Sequence, residues 1–353
     1  MGVIMIHGTR RAAATVRHVT PVPIGTARGL VARVYAQVEG DFGMLAPPVS
    51  LHSPAPEVLA ACWSVLRETL VAGGTVDRAT KELVATAVSL GNTCPYCVDV
   101  HSSALHGLAR GREAAVVAGG RLDQIADPAR RRLAQWARGS GQPGGVPDVP
   151  ADALPEVLGV AVVFHYINRM VNLFLPASPF PDRLPGGSRA LVRRVFGRMM
   201  GLGRRDPAPG DSLALLPTAP TPDDLKWTAG SPVVEDSLAR AAAAMERAGL
   251  RAVPASARAL VVDRLETWHG EPPGPNRGWL ATAVDTLPRA DRPAGRLALL
   301  AAFASYQSTD RDIERLRAVG AGDREIVEIA AWAAMAAARR VGTFGVGEPP
   351  GPA

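Results

Sequence analysis

The chain has 353 residues, enough for two domains at roughly 150 residues each. Hydrophobic residues make up 47% of it and charged residues 20%, which is typical of a globular protein with a sizeable core. The formal net charge is +6, and almost all of the basic residues are arginines. These arginines are spread through the chain, without interleaved aromatic residues or a nucleic-acid motif. The composition therefore argues against nucleic-acid binding.

The N-terminus and the most apolar window indicate the cellular compartment of the protein. The opening MGVIMIHGTRR has only a short apolar run, so we expect no signal peptide. Residues 160–175 are the most apolar long window, but His165, Asn168, Arg169 and Asn172 interrupt it, and we expect no membrane span. We therefore expect a cytoplasmic protein, in which a cysteine pair would cycle instead of staying oxidised.

The first half of the chain predicts a helical module. Residues 1–24 show no periodicity and predict an N-terminal arm, whereas apolar residues recur at helical intervals from 25 to 176. The predicted helices cover 25–38, 56–71, 76–90, 112–118, 128–137 and 151–174. The loop at 40–56 is expected to lay Met44, Leu45 and Leu51 over an apolar surface, and Cys62 to lie buried in the core.

Residues 177–230 predict a connector, because they are rich in Pro, Gly and Asp. Within this connector, residues 188–205 predict a short basic amphipathic helix. We expect its apolar face to dock on the core, with a membrane surface or an acidic partner as the alternative.

The second half, 231–346, predicts a degenerate copy of the first, followed by a tail at 347–353. Its predicted helices cover 233–248, 255–268, 277–286, 292–306, 311–319 and 323–341. The segment ARALVVDRLETWHGEPPGPNRGW stands where KELVATAVSLGNTCPYCVDVHSS stands in the first half. In that register Ala259 replaces Glu82, and HGEPPGP replaces the cysteine pair. We therefore predict an all-α protein of two tandem modules, the second of them structural and catalytically silent.

The stretch from 82 to 106 holds an acid, two cysteines and a histidine at helical spacing. Gly91-Asn92-Thr93 ends one helix, and the next begins at Pro95 with Cys94 or Thr93 as its N-cap. Cys97 lies one turn after Cys94 and one turn before His101. Both sulfurs are therefore expected over a helix N-terminus, where the partial positive charge favours a thiolate. Glu82 meets this face if the two helices pack antiparallel.

This pattern resembles the alkylhydroperoxidase branch of the carboxymuconolactone decarboxylase superfamily, loosely over residues 25–175. The resemblance implies that Glu82 is a proton-relay acid and His101 the relay histidine. It implies that Cys97 is the peroxidatic cysteine and Cys94 the resolving or proton-donating one. It further implies a homo-oligomer that reduces a hydroperoxide and is recycled by a dithiol, either a lipoyl protein or a thioredoxin-like protein, without a cofactor or a metal.

Other functions remain open for the same residues. The chain could be a disulfide reductase or redox relay, a decarboxylase-branch enzyme that does not need the cysteine pair, or a non-catalytic scaffold. A zinc site would need a second closely spaced Cys/His pair, which the sequence lacks, and a structural disulfide suits this helix end less well than an exchanging pair. Helix-end CxxC motifs often use the first cysteine as nucleophile, so the role of Cys97 rests on the resemblance.

The HYINRM segment at 165–170 belongs to the same resemblance. Asn168 and Arg169 stand where the family often carries Asn-Arg. Two roles are open for Arg169: it shapes the wall of the active site, or it caps or pairs within the fold.

Overall fold

The computed structural model describes residues 15–108, 111–180, 197 and 207–346. Within these residues all regular structure is helical and no strand occurs, so the predicted all-α class is confirmed. The first-half helices are α1 (Gly29–Phe42), α2 (Pro47–Ser50), α3 (Pro56–Leu66), α4 (Arg78–Gly91), α5 (Pro95–Gly107), α6 (Gly111–Ala118), α7 (Pro128–Gly139) and α8 (Leu154–Phe174).

The second-half helices are α9 (Pro232–Ala252), α10 (Ala255–Thr267), α11 (Gly278–Asp285), α12 (Arg292–Phe303), α13 (Asp310–Ala318) and α14 (Asp323–Phe344). Short 3-10 turns cover Ile24–Thr26, Leu122–Gln124, Leu213–Leu215, Asp223–Thr228 and Ser305–Gln307. The predicted tail at 347–353, most of the predicted arm and the predicted basic helix at 188–205, except Gly197, lie outside the described residues.

Several predicted helix boundaries differ from the observed ones by three or four residues, and two of the predicted helices differ for clear local reasons. The helix predicted at 25–38 begins at Gly29 and runs to Phe42, where Gly43 takes the left-handed conformation (φ 86°) common at helix ends. The helix predicted at 56–71 stops being α-helical after Leu66 and widens into a π-helical turn over Arg67–Val71. Such turns are rare and serve to redirect side chains.

This π-turn carries a buried cluster of charges that binds residues 210–212 of the connector. The Arg67 guanidinium donates to Asp41 at 2.6 Å and to Glu68 at 2.6 Å. Glu68 in turn accepts the backbone N–H groups of Gly210 at 2.7 Å and Ser212 at 3.1 Å. Buried charges are normally paired in this way.

The helix α8 runs through the middle of the molecule. It contacts α4 on one side and α14 on the other, and nearly all of its residues are buried. By length and composition it could cross a membrane, but 89% of its most apolar window is buried inside the protein. Burial on every side is what a helix without a polar face requires, so α8 is the core helix of the fold.

The two halves share one hydrophobic core. Buried apolar residues from both halves, the first being Val19 and the last Phe344, belong to a single cluster. The helix α9 packs on α3, and α14 packs on both α8 and α9. On α14, the residues of the predicted apolar face are all buried: Ile326, Ile329, Ala330 and residues 332–335. The proposed correspondence between the halves stays a prediction.

A second buried ion pair fixes α4 against α8. Lys81 Nζ lies 2.8 Å from Glu156 Oε2 and donates to the Ala72 carbonyl at 3.2 Å. Glu156 also accepts the N–H groups of Thr75 at 2.7 Å and Val76 at 3.2 Å. Burial alone would raise the pKa of Glu156, but Lys81 and these N–H groups outweigh it and lower the pKa. The pair therefore sets the position of the residue that follows Lys81, which is Glu82.

The close approach of α8 to the second half predicts that Gly159→Leu destabilises the fold. A Cβ at Gly159 would lie 3.1 Å from Thr69 and 3.2 Å from Val234, so a larger side chain has no space. Overpacking of this kind costs about 1–3 kcal/mol. Urea unfolding measures the loss.

The matched control is Gly40→Leu. Gly40 is an exposed helical glycine with nothing within 4 Å of a Cβ. We expect this control to retain or gain stability, because leucine favours a helix over glycine. Equal unfolding free energies for the two variants would contradict the close packing of α8 on α9.

Candidate active site

The acid and the histidine predicted from the sequence meet between α4 and α5. The two helices fold back on each other across Gly91-Asn92-Thr93, as the sequence required. Glu82 Oε2 lies 2.7 Å from His101 Nδ1, and Glu82 Oε1 accepts from Arg78 Nε at 2.8 Å. Both Glu82 and His101 are buried. The histidine ring is therefore held by a carboxylate at one nitrogen, which fixes its orientation.

The partners of Glu82 keep it ionised inside the protein. Burial on its own would raise the pKa of Glu82, because the charged form loses its hydration. The charges of Arg78 and His101, together with their hydrogen bonds, outweigh burial and lower the pKa below its usual value. Glu82 is therefore a carboxylate at neutral pH, able to stabilise a proton on His101.

The two cysteines lie at the start of α5, as predicted. Cys94 is the N-cap residue, Pro95 opens the helix, and Cys97 lies in the first turn. The N–H of Cys94 donates to the Ser89 carbonyl at 3.0 Å, which ties the motif to the end of α4. Both thiols are free and buried, and Cys97 is hydrogen-bonded to Cys94.

The expected thiolate at Cys97 needs a correction. The position at a helix N-terminus predicted a lowered pKa. In the structure, burial and the neighbouring Cys94 thiol raise the pKa of Cys97 well above its usual value, and the hydrogen bond from Asn168 offsets only part of the effect. The resting sulfur is a thiol, so chemistry at Cys97 needs a base.

Of the two HYINRM residues, Asn168 belongs to the site. Its amide contacts Cys97, donates to Ser89 Oγ at 3.1 Å and accepts from Asn92 Nδ2 at 3.0 Å. Arg169 points elsewhere: it donates to the carbonyls of His165 and Ala302, the latter in the second half. At the cysteine site the wall is therefore formed by Asn168 and not by Arg169.

Cys97 and His101 face the same narrow apolar cavity of about 40 Å³. The 40–56 loop covers it with Met44 and α2, as the sequence predicted for Met44. The ring of Phe164 stands at 89° to that of His101, with 4.5 Å between centroids, and fixes the imidazole from the other side. Tyr96 lines the cavity and is buried. Phe164 gave no signal in the sequence beyond its place in an apolar helix.

The residue before the cysteine pair has an unusual backbone. Thr93 has φ 51°, in the left-handed region that β-branched residues rarely adopt. Strain of this kind persists where surrounding contacts demand it, and it is common beside functional sites. Here it allows α4 to end and Cys94 to begin the next helix within a single turn.

The chain is similar to known proteins over most of its length. The family model described as carboxymuconolactone decarboxylase family matches residues 56–139. A protein named alkyl hydroperoxide reductase, from Mycobacterium tuberculosis, is 37% identical over 336 residues, which cover 93% of this chain and 94% of that protein. The chain belongs to the carboxymuconolactone decarboxylase family.

The family match covers α3 to α7 and so includes Glu82, Cys94, Cys97 and His101, whose individual roles stay predictions. It ends before α8, which brings Asn168 to the cysteines. Only the longer similarity to the mycobacterial relative reaches α8 and the second half. Among the described residues of this family member, no three His, Cys, Asp or Glu side chains come together as a metal site would require.

The lowered pKa of Glu82 predicts how stability depends on pH. A carboxylate whose folded pKa lies below its unfolded value stabilises the fold above the unfolded value, and that contribution is lost as pH falls through the folded pKa. Glu82→Gln should therefore cost about 3 kcal/mol at pH 7, because Arg78 and His101 lose their partner. The cost should shrink at an acid pH below the folded pKa of Glu82, where the carboxylate itself becomes protonated.

Urea unfolding at the two pH values measures this difference. The exposed Glu266→Gln is the matched control, and its effect should be small at both. A cost at Glu82 that does not change with pH would show that the carboxylate does not depend on its cationic neighbours.

Proposed function

We propose that this protein reduces hydroperoxides through the Cys94–Cys97 pair. The observation that carries the proposal is the meeting of a buried Glu82–His101 pair with Cys97 on one apolar cavity, while Cys94 contacts the same sulfur. A base, a nucleophile and a resolving thiol are the three groups that such a reaction needs. The name of the mycobacterial relative, alkyl hydroperoxide reductase, supports the same activity.

The first step is removal of the proton from Cys97. Because burial holds this sulfur as a thiol, a base must act at the moment of attack. His101 is held at Nδ1 by Glu82, which leaves Nε2 to take the proton directly or through a water. Ionised Glu82 stabilises the imidazolium that forms. The amide of Asn168 contacts Cys97 and favours the thiolate.

The thiolate of Cys97 then attacks one oxygen of the hydroperoxide. The O–O bond breaks, a sulfenic acid forms on Cys97, and the leaving alkoxide takes a proton from His101 or Cys94 to become an alcohol. The Cys94 sulfur next attacks the sulfenic acid, which releases water and forms the Cys94–Cys97 disulfide. An external dithiol reduces this disulfide, so the net reaction turns hydroperoxide and dithiol into alcohol, water and disulfide.

Burial of the cysteines bears on the substrate and the reductant. An apolar cavity walled by Met44, Val100 and Ile167 favours a small alkyl hydroperoxide over a charged one. Because both sulfurs are buried, a slender lipoyl arm suits the site better than the surface of a folded thioredoxin-like protein. A reducing, cytoplasmic setting and self-association remain part of the proposal.

A redox relay, the alternative function, would need a different arrangement of the two cysteines. A relay exchanges disulfides with a partner protein and needs an exposed first cysteine, but Cys94 is only 1% exposed. It also has no use for a cavity beside Cys97 and His101. These two observations favour the peroxidase.

The roles of the two cysteines predict different outcomes for their serine variants. Cys97→Ser should abolish peroxide consumption with dihydrolipoamide as donor, since no nucleophile remains. Cys94→Ser should accumulate a sulfenic acid on Cys97 after one equivalent of ethyl hydroperoxide, because no second thiol is present to condense with it. Dimedone labelling and mass spectrometry locate the label.

The control is Cys62→Ala, which removes a cysteine buried in the core, as predicted, and leaves the pair intact. It should keep peroxide turnover. Dimedone on Cys94 of the Cys97→Ser protein, with none on Cys97 of the reverse variant, would invert the assignment.

Loss of the acid should slow the chemistry without removing it. In Glu82→Gln the imidazolium of His101 loses its carboxylate, so the rate of peroxide attack should fall about 10²-fold or more. Absorbance at 240 nm against pH should show the Cys97 thiolate forming at higher pH than in the natural protein. Coincident rates and titration curves would remove Glu82 from the relay.

A further inference from the structure

A second, larger cavity lies between the two halves of the chain. Its volume is about 680 Å³, within the range of small-molecule sites, and it shares no lining residue with the cavity at Cys97. The turn at 91–93 forms part of one wall, and residues 268 and 270–272 form part of the facing wall. These are the two segments that the proposed repeat places in correspondence.

Arg169 contributes a positive charge to this cavity. Its Nε donates to the Ala302 carbonyl at 3.1 Å and its Nη1 to the His165 carbonyl at 2.6 Å. In the part of the chain that the structure describes, Arg169 has no carboxylate in ion-pair contact and its Nη2 donates to no protein acceptor. Burial lowers the pKa of Arg169 to about 10, so the guanidinium stays charged at neutral pH.

The structural role of Arg169 accounts for only part of this arrangement. The two carbonyl contacts explain how it links α8 to the end of α12. They leave Nη2 of this part-buried guanidinium without a protein acceptor among the described residues, on a side chain that lines the cavity. Glu271 also lines the cavity, but its carboxylate accepts the His269 N–H at 3.0 Å and forms no ion pair with Arg169.

Beside this charge the cavity has an aromatic wall. The Arg169 guanidinium lies 5.9 Å from the centre of the Trp268 ring, and Trp268 meets Phe303 edge to face at 5.5 Å between centroids. The indole N–H already donates to the Glu271 carbonyl at 2.9 Å, so this wall presents an apolar surface. Half-exposed Tyr306 stands at the rim.

We propose that this cavity binds a small organic anion with a flat apolar body, such as an aryl carboxylate. The carboxylate would accept a charge-assisted hydrogen bond from Nη2 of Arg169, because Nε and Nη1 already contact protein acceptors. The ring would lie against Trp268 and Phe303. Amide and hydroxyl groups of Gln142, Asn172 and Ser305 would meet any polar substituent.

The site and the cysteine pair are adjacent through one turn of chain. Asn172 lines the cavity and donates to the Asn92 carbonyl at 3.5 Å, while the Asn92 side chain donates to Asn168, which contacts Cys97. The proposal itself concerns binding and holds whether or not the protein is a peroxidase.

The test compares two probes that differ in charge. Isothermal titration calorimetry on the full chain at pH 7.5 should show 1-naphthoate binding at least about tenfold more tightly than neutral 1-naphthamide, since only the acid pairs with Arg169. Arg169→Gln should remove that preference. The exposed Arg289→Gln, outside the cavity, should keep it.

A second variant keeps the test decisive if Arg169→Gln fails to fold, which circular dichroism would show. Tyr306→Ala removes a half-exposed rim residue and should weaken both probes by about threefold, because it shortens the apolar wall. Equal affinity for the acid and the amide, or no binding of either in the millimolar range, would overturn the proposal. So would a naphthoate affinity unchanged by both Arg169→Gln and Tyr306→Ala.

Discussion

The helix α8 is apolar on nearly every side, so other helices have to cover it on all sides. The arrangement of the two halves of the chain follows from this requirement. One face receives α4 and the other α14, so the halves of the chain meet along a single helix. Its few polar residues are then forced to find partners at fixed places. Asn168 finds them at the cysteine pair, while Arg169, one position later, faces the opposite half. Neighbouring residues on one rigid element thus serve two separate cavities.

Local spacing placed Cys94, Cys97 and His101 on one face of a helix, whereas the roles of these residues and of Glu82 were implied by the family resemblance. Glu82 could meet that face if α4 and α5 packed antiparallel, and in the structure it contacts His101. The fold class followed from periodicity in the same way. Contacts between distant segments leave no such trace in a single sequence. Phe164 against His101, and the cavity between Thr93 and Trp268, depend on how α8 is packed and could not be predicted from spacing.

The electrostatics of the site show where a local rule fails. The start of α5 offers a partial positive charge to Cys97, but the same packing that orients the thiol also removes it from water. Loss of hydration is the larger effect for a fully buried group. The fold responds by burying a carboxylate that remains ionised, held between Arg78 and His101. In the proposed mechanism His101 therefore acts as the base, and the sulfur stays a thiol until the proton is removed.

The burial of Lys81 in its ion pair with Glu156 determines which lysine can be labelled chemically. Lys81 and Lys226 are the only lysines in the sequence. The side chain of the first is 2% exposed and that of the second 75%. Amine-reactive reagents therefore meet a single accessible lysine besides the chain terminus. A dye or crosslinker can be attached at the Asp223–Thr228 turn, which packs on α9 and α14, without engineering a cysteine that would compete with Cys94 and Cys97.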